Sequence, residues 1–247
     1  MKFSIIVPTY NSAKTIMDTL RSIMEQEYFP LEVIVIDGNS KDNTVQLVQD
    51  LTPEAILISE KDNGIYDAMN KGIAMATGDV IGILNSDDFY AHSEVLFKVA
   101  KQLKNTKADS LYANLYYVDE FEPSKIVRRW YAKSFKRFKF LFGWMPPHPT
   151  FFVKKSVYDR FGSFRTDLKI SADYELMLRL LYKEEISTTY LREVIVHMRT
   201  GGQSNASIAN RLKANMEDRK AWTMNGLKPN PLTLLLKPLR KLGQFFS

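Results

Sequence analysis

The sequence predicts an α/β fold built on a mostly parallel sheet flanked by helices. Short β-branched runs alternate with helical segments over the first 105 residues, and each run passes directly into polar residues. Such alternation requires right-handed crossovers and a parallel sheet. The chain, at 247 residues with 45% hydrophobic and 25% charged side chains, is large enough for one α/β domain.

The first strand is read at 3–7, an apolar run at the amino terminus that is too short for a signal peptide. Ser12 then precedes a helix carrying Ile16, Leu20, Ile23 and Met24 on one face, at the helical period. A second strand at 31–36 leads to Asp42 or Ser40 as helix cap, with Val45, Leu47 and Val48 in the helix behind it. Strands at 55–58 and 79–84 repeat the unit, with helices at 64–76 and 93–103. Beyond 105 the alternation weakens. Strands are expected at 109–118 and 125–130, then a basic-aromatic segment and a helix over 172–183. Strands at 186–191 and 193–198, a polar helix over 205–225 and a Pro- and Leu-rich tail complete the chain.

Charge divides unevenly. Residues 1–122 hold 10 Lys/Arg against 19 Asp/Glu, and residues 123–247 hold 24 against 9. No acidic residue lies between Glu122 and Asp159. One end of the molecule is therefore expected to face something anionic: nucleic acid, phospholipid or a diphosphate. The absence of cysteine excludes disulfides and thiolate metal sites, and it fits a reducing cytoplasm. No run reaches the roughly 20 apolar residues that span a bilayer.

Ligands of open α/β sheets bind at the carboxyl ends of the strands. That rule gathers Pro8-Thr9-Tyr10, Asp37-Gly38, Glu60-Lys61-Asp62 and Asn85-Ser86-Asp87-Asp88 along one rim. Paired carboxylates at a strand end repel unless something positive compensates, and hard oxygen donors suit Mg²⁺ or Mn²⁺ holding a diphosphate. The competing reading is a polar turn in which Asp88 or Ser86 caps the helix starting near His92.

Six segments, in this order, resemble the inverting family 2 glycosyltransferases of GT-A fold. They are Ile5-Ile6-Val7-Pro8-Thr9-Tyr10-Asn11, Val35-Ile36-Asp37-Gly38-Asn39-Ser40-Lys41-Asp42-Asn43-Thr44 and the stretch from Ser59 through Asp62 to Asn70-Lys71-Gly72. Leu84-Asn85-Ser86-Asp87-Asp88, Ser171-Ala172-Asp173-Tyr174-Glu175 and Arg199-Thr200-Gly201-Gly202-Gln203-Ser204 follow. The resemblance implies a Rossmann-like nucleotide-binding half (1–105), an acceptor-side half (106–225) and a helical, basic, amphipathic extension (226–247).

It also implies residue roles. Pro8, Thr9, Tyr10 and Asp37 would bind the nucleotide base, and Asp62, Asn70 and Lys71 would lie near the sugar diphosphate. Asn85 and Ser86 would flank the ribose and diphosphate, and Asp87 and Asp88 would hold Mg²⁺ or Mn²⁺. Many relatives begin that motif with Asp, so Asn85 departs from the pattern. Asp173 would be the base that takes the acceptor hydroxyl's proton. As alternatives, Asp37 caps a turn, Lys71 is a solvated helical charge and Asp173 favours a helix amino terminus. His148 and His197 are candidates for the acceptor or metal side, or half-buried surface imidazoles. Arg199, beside Gly201-Gly202, is a candidate to close over the diphosphate, or a bare turn.

Residues 125–144 interleave Lys125, Arg128, Arg129, Lys133, Lys136, Arg137 and Lys139 with Trp130, Tyr131, Phe135, Phe138, Phe140, Phe142 and Trp144. The segment 231–242 repeats that chemistry. Rings beside cations suit an anionic membrane surface, and no nucleic-acid motif accompanies them. A subunit interface, or an aromatic core edged by lysines, competes. The expected enzyme takes a nucleotide-sugar donor, UDP-linked, and a glycan or lipid-linked saccharide acceptor. Its place is cytoplasmic, peripheral on the inner face of the cell membrane, in bacterial polysaccharide assembly. The rival is a nucleotide-sugar-binding protein without transferase activity. A dinucleotide oxidoreductase is nearly excluded, because no glycine fingerprint follows the first strand.

Overall fold

The computed structural model describes residues 1–201 and 208–228. Four strands open the chain: β1 (Phe3–Thr9), β2 (Leu31–Asp37), β3 (Ile56–Ser59) and β4 (Val80–Ile83). They pair in parallel in the order β3-β2-β1-β4. Between them run α1 (Ile16–Met24), α2 (Thr44–Leu51) and α3 (Ile65–Met75). Each crossover returns the chain to the same sheet edge, so all four strands end on one rim, as the alternation requires.

Beyond β4 the sheet becomes mixed. The two-residue β5 (Phe89–Tyr90) leads into α4 (Val95–Thr106), and β6 (Ser110–Val118) folds back on β7 (Ile126–Trp130). After β8 (Phe152–Lys154), α5 (Lys155–Phe161) and α6 (Ala172–Met177), the helix continues in a π-helical turn to Lys183. Strand β9 (Thr188–Arg199) and helix α7 (Ile208–Met224) follow. The antiparallel β8 joins β4 to β6, β9 runs parallel to β6, and β5 closes the far edge. Parallel geometry is thus confined to the first half and the β6–β9 pair, because short connections after 105 permit hairpins.

Alternation along β1 sorts the core into two layers. Phe3, Ile5 and Val7 pack with Ile16, Leu20 and Ile23 of α1 and with α4 on one side. Ile6, Ile34 and Ile36 pack with α3, α5, α6 and Trp222 of α7 on the other. Helix α3 approaches β1 so closely that a Cβ on Gly72 would lie 2.4 Å from Ile6 Cγ2. A glycine is required there to bring the helix onto the sheet.

Several local expectations change. Met24 is 53% exposed and Thr19 takes the buried position, giving 16, 19, 20 and 23 as the inner face of α1. The strands expected at 186–191 and 193–198 are one strand. Its partner register against β6 jumps from Leu191 to Val194 and then to Val196, so Arg192 and Glu193 form a bulge. Residues 202–207, at the start of the polar helix, and the tail 231–242 lie outside the described residues.

Candidate functional site

The strand ends on the rim are tied together by short polar side chains. The Ser12 and Ser86 hydroxyls lie 2.7 Å apart, and Thr15 Oγ1 donates to the Ser86 carbonyl at 2.8 Å. Ser12 N–H donates to Thr44 Oγ1 at 2.8 Å, and Asp42 accepts from the N–H groups of Thr44 and Ala13. Of the two cap candidates for α2, Asp42 therefore engages its first turn. Ser40 turns back and donates through both N–H and hydroxyl to Asp37.

At the β1 end, Pro8 sits where a missing N–H does no harm. Ile6 accepts from Leu84 N–H on the β4 side and Thr9 accepts from Gly38 N–H on the β2 side. Pro8 thus points toward β4, whose pairing has already ended at Ile83. Thr9 is buried with Oγ1 lacking a hydrogen-bond partner, and the Tyr10 ring is 59% exposed. The Asp37 carboxylate is fully buried and accepts from Ser40 and from Ser59 Oγ, the latter at 2.6 Å. It holds the β2 turn, as the capping alternative had it. Asp62 is the carboxylate nearer the surface. Its Oδ2 would lie 2.7 Å from a Cβ on Gly38, with the Tyr10 ring beside it. Glycine at 38 therefore makes room for Asp62 against Tyr10.

The Asn85–Asp88 turn is more heavily built. Asp88 is fully buried, accepting from Arg199 N–H at 3.2 Å and Asn85 Nδ2 at 3.2 Å. Burial, and then the Asp87 charge, push the Asp88 carboxyl well above its ordinary value. Burial also raises Asp87, against the pull of Arg199 and His148. Neither Asp88 nor Ser86 caps α4, which begins later, at Val95. The Arg199 guanidinium lies 4% exposed beneath the turn, donating to the Asp87 carbonyl at 2.8 Å and to Asp18, with its charge over the Phe89 ring. From this buried position it compensates the two carboxylates.

This turn fits a hard divalent cation. Asn85 Oδ1 is buried without a hydrogen-bond partner, because the amide's Nδ2 is turned to Asp88. The Asp87 carboxylate beside it is raised by burial, a state that a cation would relieve. Among the described residues no three His, Cys, Asp or Glu converge as a metal cage. Mg²⁺-type sites need none, since one or two carboxylates plus substrate phosphates suffice.

Across the cleft, Asp173 stands in the first turn of α6. Its Oδ2 lies 3.6 Å from His148 Nδ1 and its Oδ1 lies 3.4 Å from the Tyr66 hydroxyl. Tyr66 donates at 2.8 Å to the Ile170 carbonyl, and burial followed by the Asp173 charge keeps its phenol protonated. Burial holds the His148 imidazole below its ordinary value although Asp173 and Asp87 both pull it upward. His148 lies 3.6 Å from Asp173 and also feels the Asp87 charge, so both carboxylates act on one imidazole.

Three further candidates have partners within the protein. Asn70 uses its amide on the Phe164 backbone, donating to the carbonyl at 2.8 Å and accepting from the N–H at 2.9 Å. Lys71 pairs with Glu60 at 2.7 Å, and that hydrogen bond raises its pKa. His197 lies against the rings of Phe89 and Tyr116, its pKa lowered by burial and by His92. Conversely, Tyr66, Asp18 and Glu217 had no assigned role in the sequence. Tyr66 is inside a quoted motif, but no spacing marks it as a neighbour of Asp173.

The sequence matches the family described as Glycosyl transferase family 2 over residues 4–163. A PGL/p-HBAD biosynthesis glycosyltransferase of Mycobacterium bovis is 27% identical over 221 residues, covering 83% of this chain and 80% of that protein. Among solved structures, Staphylococcus aureus TarS 1–349 in complex with UDP-GlcNAc superposes with a TM-score of 0.69 at 21% identity. The match covers 91% of this chain and 65% of that one. The mannosyltransferase PcManGT from Pyrobaculum calidifontis, in complex with GDP-Man and Mn²⁺, gives 0.67 at 19% identity, over 97% of this chain and 68% of that one. The chain thus spans about two thirds of these solved chains, and the likeness places its fold with theirs.

Proposed function

The chain belongs to glycosyl transferase family 2, and on that premise we propose that it moves one sugar from a UDP-sugar to an acceptor hydroxyl, with inversion. It is a glycosyltransferase of GT-A fold. The observation that supports the finer reading is His148, 3.6 Å from Asp173 and within reach of the Asp87 charge. Tyr10 offers a stacking face for a base, with Asp62 and Thr9 Oγ1 as polar partners beside it. Asp87 and the Asn85 amide oxygen hold Mg²⁺ or Mn²⁺, and Asp88 fixes the turn beneath them. A cation held there would supply positive charge to neutralise the departing diphosphate. Asp173 faces the acceptor and takes the hydroxyl's proton as the new C–O bond forms. His148, held neutral by burial, leaves the Asp173 carboxylate free to act as base.

A thermal-shift screen of UDP-GlcNAc, UDP-glucose, UDP-galactose and GDP-mannose tests this. At 100-fold excess over Kd a ligand stabilises by about 2.7 kcal/mol, so at least one UDP-sugar raises the melting temperature, and more with Mn²⁺ than with EDTA. If no nucleotide-sugar shifts the transition, the reading is wrong.

The acceptor we propose is a glycan or lipid-linked saccharide at the inner face of the cell membrane, in polysaccharide assembly. The basic-aromatic segment supports this by splitting in two: Phe140 and Trp144 are buried, while Tyr131, Phe138 and Phe142 are exposed. Exposed Lys133 and Lys136 lie on the same stretch. No helix among the described residues is long and apolar enough to cross a membrane. Each cation near an anionic surface adds about 1 kcal/mol, so the protein sediments with phosphatidylglycerol vesicles at low salt and is released at high salt. A protein that stays in the supernatant at low salt refutes the attachment.

A further inference from the structure

Helix α7 is polar and looks from its sequence like a solvated terminal helix, yet one of its faces grips the segment that carries Asp173. The carboxylate of Glu217, 8% exposed, accepts three consecutive backbone N–H groups, those of Lys169, Ile170 and Ser171. The distances to Oε2 are 3.1, 2.8 and 3.0 Å. Ser171 stands at the amino end of α6, where its hydroxyl makes no capping bond. The hydroxyl donates instead to the Ala214 carbonyl of α7, at 3.2 Å. A carboxylate from a distant helix thus satisfies the backbone donors that a local cap would otherwise serve.

The grip continues past Asp173. Trp222 Nε1 donates to the Tyr174 hydroxyl at 2.9 Å, and Asn225 Nδ2 donates to Glu175 Oε1 at 3.0 Å. Glu175 is itself buried and paired with Arg179. Residues 169–171, 174 and 175 are therefore all held by α7 or by Asn225 just after it, on both sides of Asp173. The Ile170 carbonyl meanwhile receives Tyr66, the same hydroxyl that lies beside Asp173 Oδ1. The peptide held by Glu217 on its N–H side is held by Tyr66 on its carbonyl side.

We propose that Glu217 is a positioning residue for sugar transfer: through the backbone of residues 169–171 it sets where the Asp173 carboxylate stands. This rests on the reading of Asp173 as the base. A misplacement of about 1 Å at a reacting group costs on the order of 100-fold in rate, and such a loss falls on kcat rather than on donor KM.

The test measures UDP release, with water as acceptor, from whichever UDP-sugar of the panel above gives the largest thermal shift. Glu217→Ala is expected to lose about 100-fold in kcat with donor KM within about twofold of the native chain. Glu217→Gln keeps an amide oxygen for the three N–H groups and is expected to recover about tenfold of that loss. If Glu217→Ala does not fold, Glu217→Gln alone decides, through a roughly tenfold lower kcat at unchanged KM. Native kcat per folded molecule in either variant overturns the proposal, as does a matching rise in donor KM. Asp173→Asn run alongside separates the two claims. If it retains full activity, the reading of Asp173 fails; if it is inactive while both Glu217 variants keep native kcat, only the positioning claim fails.

Discussion

Asp173→Asn is expected to release UDP from its donor about 10²- to 10⁴-fold more slowly than the native chain, the usual contribution of a positioned general base. Donor binding should survive, because Asp173 stands on α6 while the proposed nucleoside contacts come from β1 and the segment after β3. The fold should survive as well. The carboxylate is about one-fifth exposed and its neighbours, His148 and Tyr66, stand at 3.6 and 3.4 Å, so no short hydrogen bond is lost. A residue serving only the helix amino terminus would behave in the opposite way. It would contribute about 0.3–1 kcal/mol of stability and leave turnover alone. Kinetics and melting measured on one preparation distinguish the two.

Asp87→Asn is expected to abolish transfer and yet to melt higher than the native chain at neutral pH without metal. Burial raises the pKa of Asp87, and Asp87 in turn helps raise that of Asp88. A carboxyl raised on folding stabilises the protein below its unfolded value, and that contribution is lost as pH rises through the folded value. At pH 7 both groups therefore cost stability, and the neutral isostere removes one charge and relieves the other. In a chain of this length each kcal/mol recovered moves the melting temperature by about 2–4 °C. The advantage should shrink as the buffer is acidified, because the native carboxyls then protonate. A variant that melts lower than the native chain at pH 7 would show that Asp87 is a net stabilising partner of Arg199, and the strain ascribed to the turn would be absent.

The parts of this site that were legible in the sequence follow from period and punctuation. Each of the first four strands is a short apolar run ending in polar residues, so a parallel sheet brings Thr9, Asp37, Asp62 and Asp87 to one edge without further information. What each side chain does there was less legible, because a carboxylate at a strand end looks the same whether it faces solvent or its own loop. Asp37 binds the nearby Ser40, as a turn cap does, but also Ser59, while Asn70 binds the Phe164 peptide and Lys71 binds Glu60, partners that no spacing rule supplies. The single strand β9 reads as two in the sequence because Arg192 and Glu193 interrupt its apolar pattern. They do so as a bulge in which Glu193 meets Lys98 at 2.6 Å. Glu217 gave no signal at all. In a helix rich in Lys, Arg, Glu and Asp, Glu217 has no distinguishing context until the backbone it binds is brought to it from 46 residues away.

The central claim is that Asp87, with a divalent cation, seats the diphosphate beside Asp173. Calorimetric titration of UDP into the native chain and into Asp87→Asn, each with Mn²⁺ and with EDTA, tests it most directly. The account predicts that Mn²⁺ tightens UDP binding to the native chain by at least about tenfold, or about 1.4 kcal/mol, and leaves binding to Asp87→Asn unchanged. Equal affinity in all four titrations, or a full Mn²⁺ effect in Asp87→Asn, would contradict it.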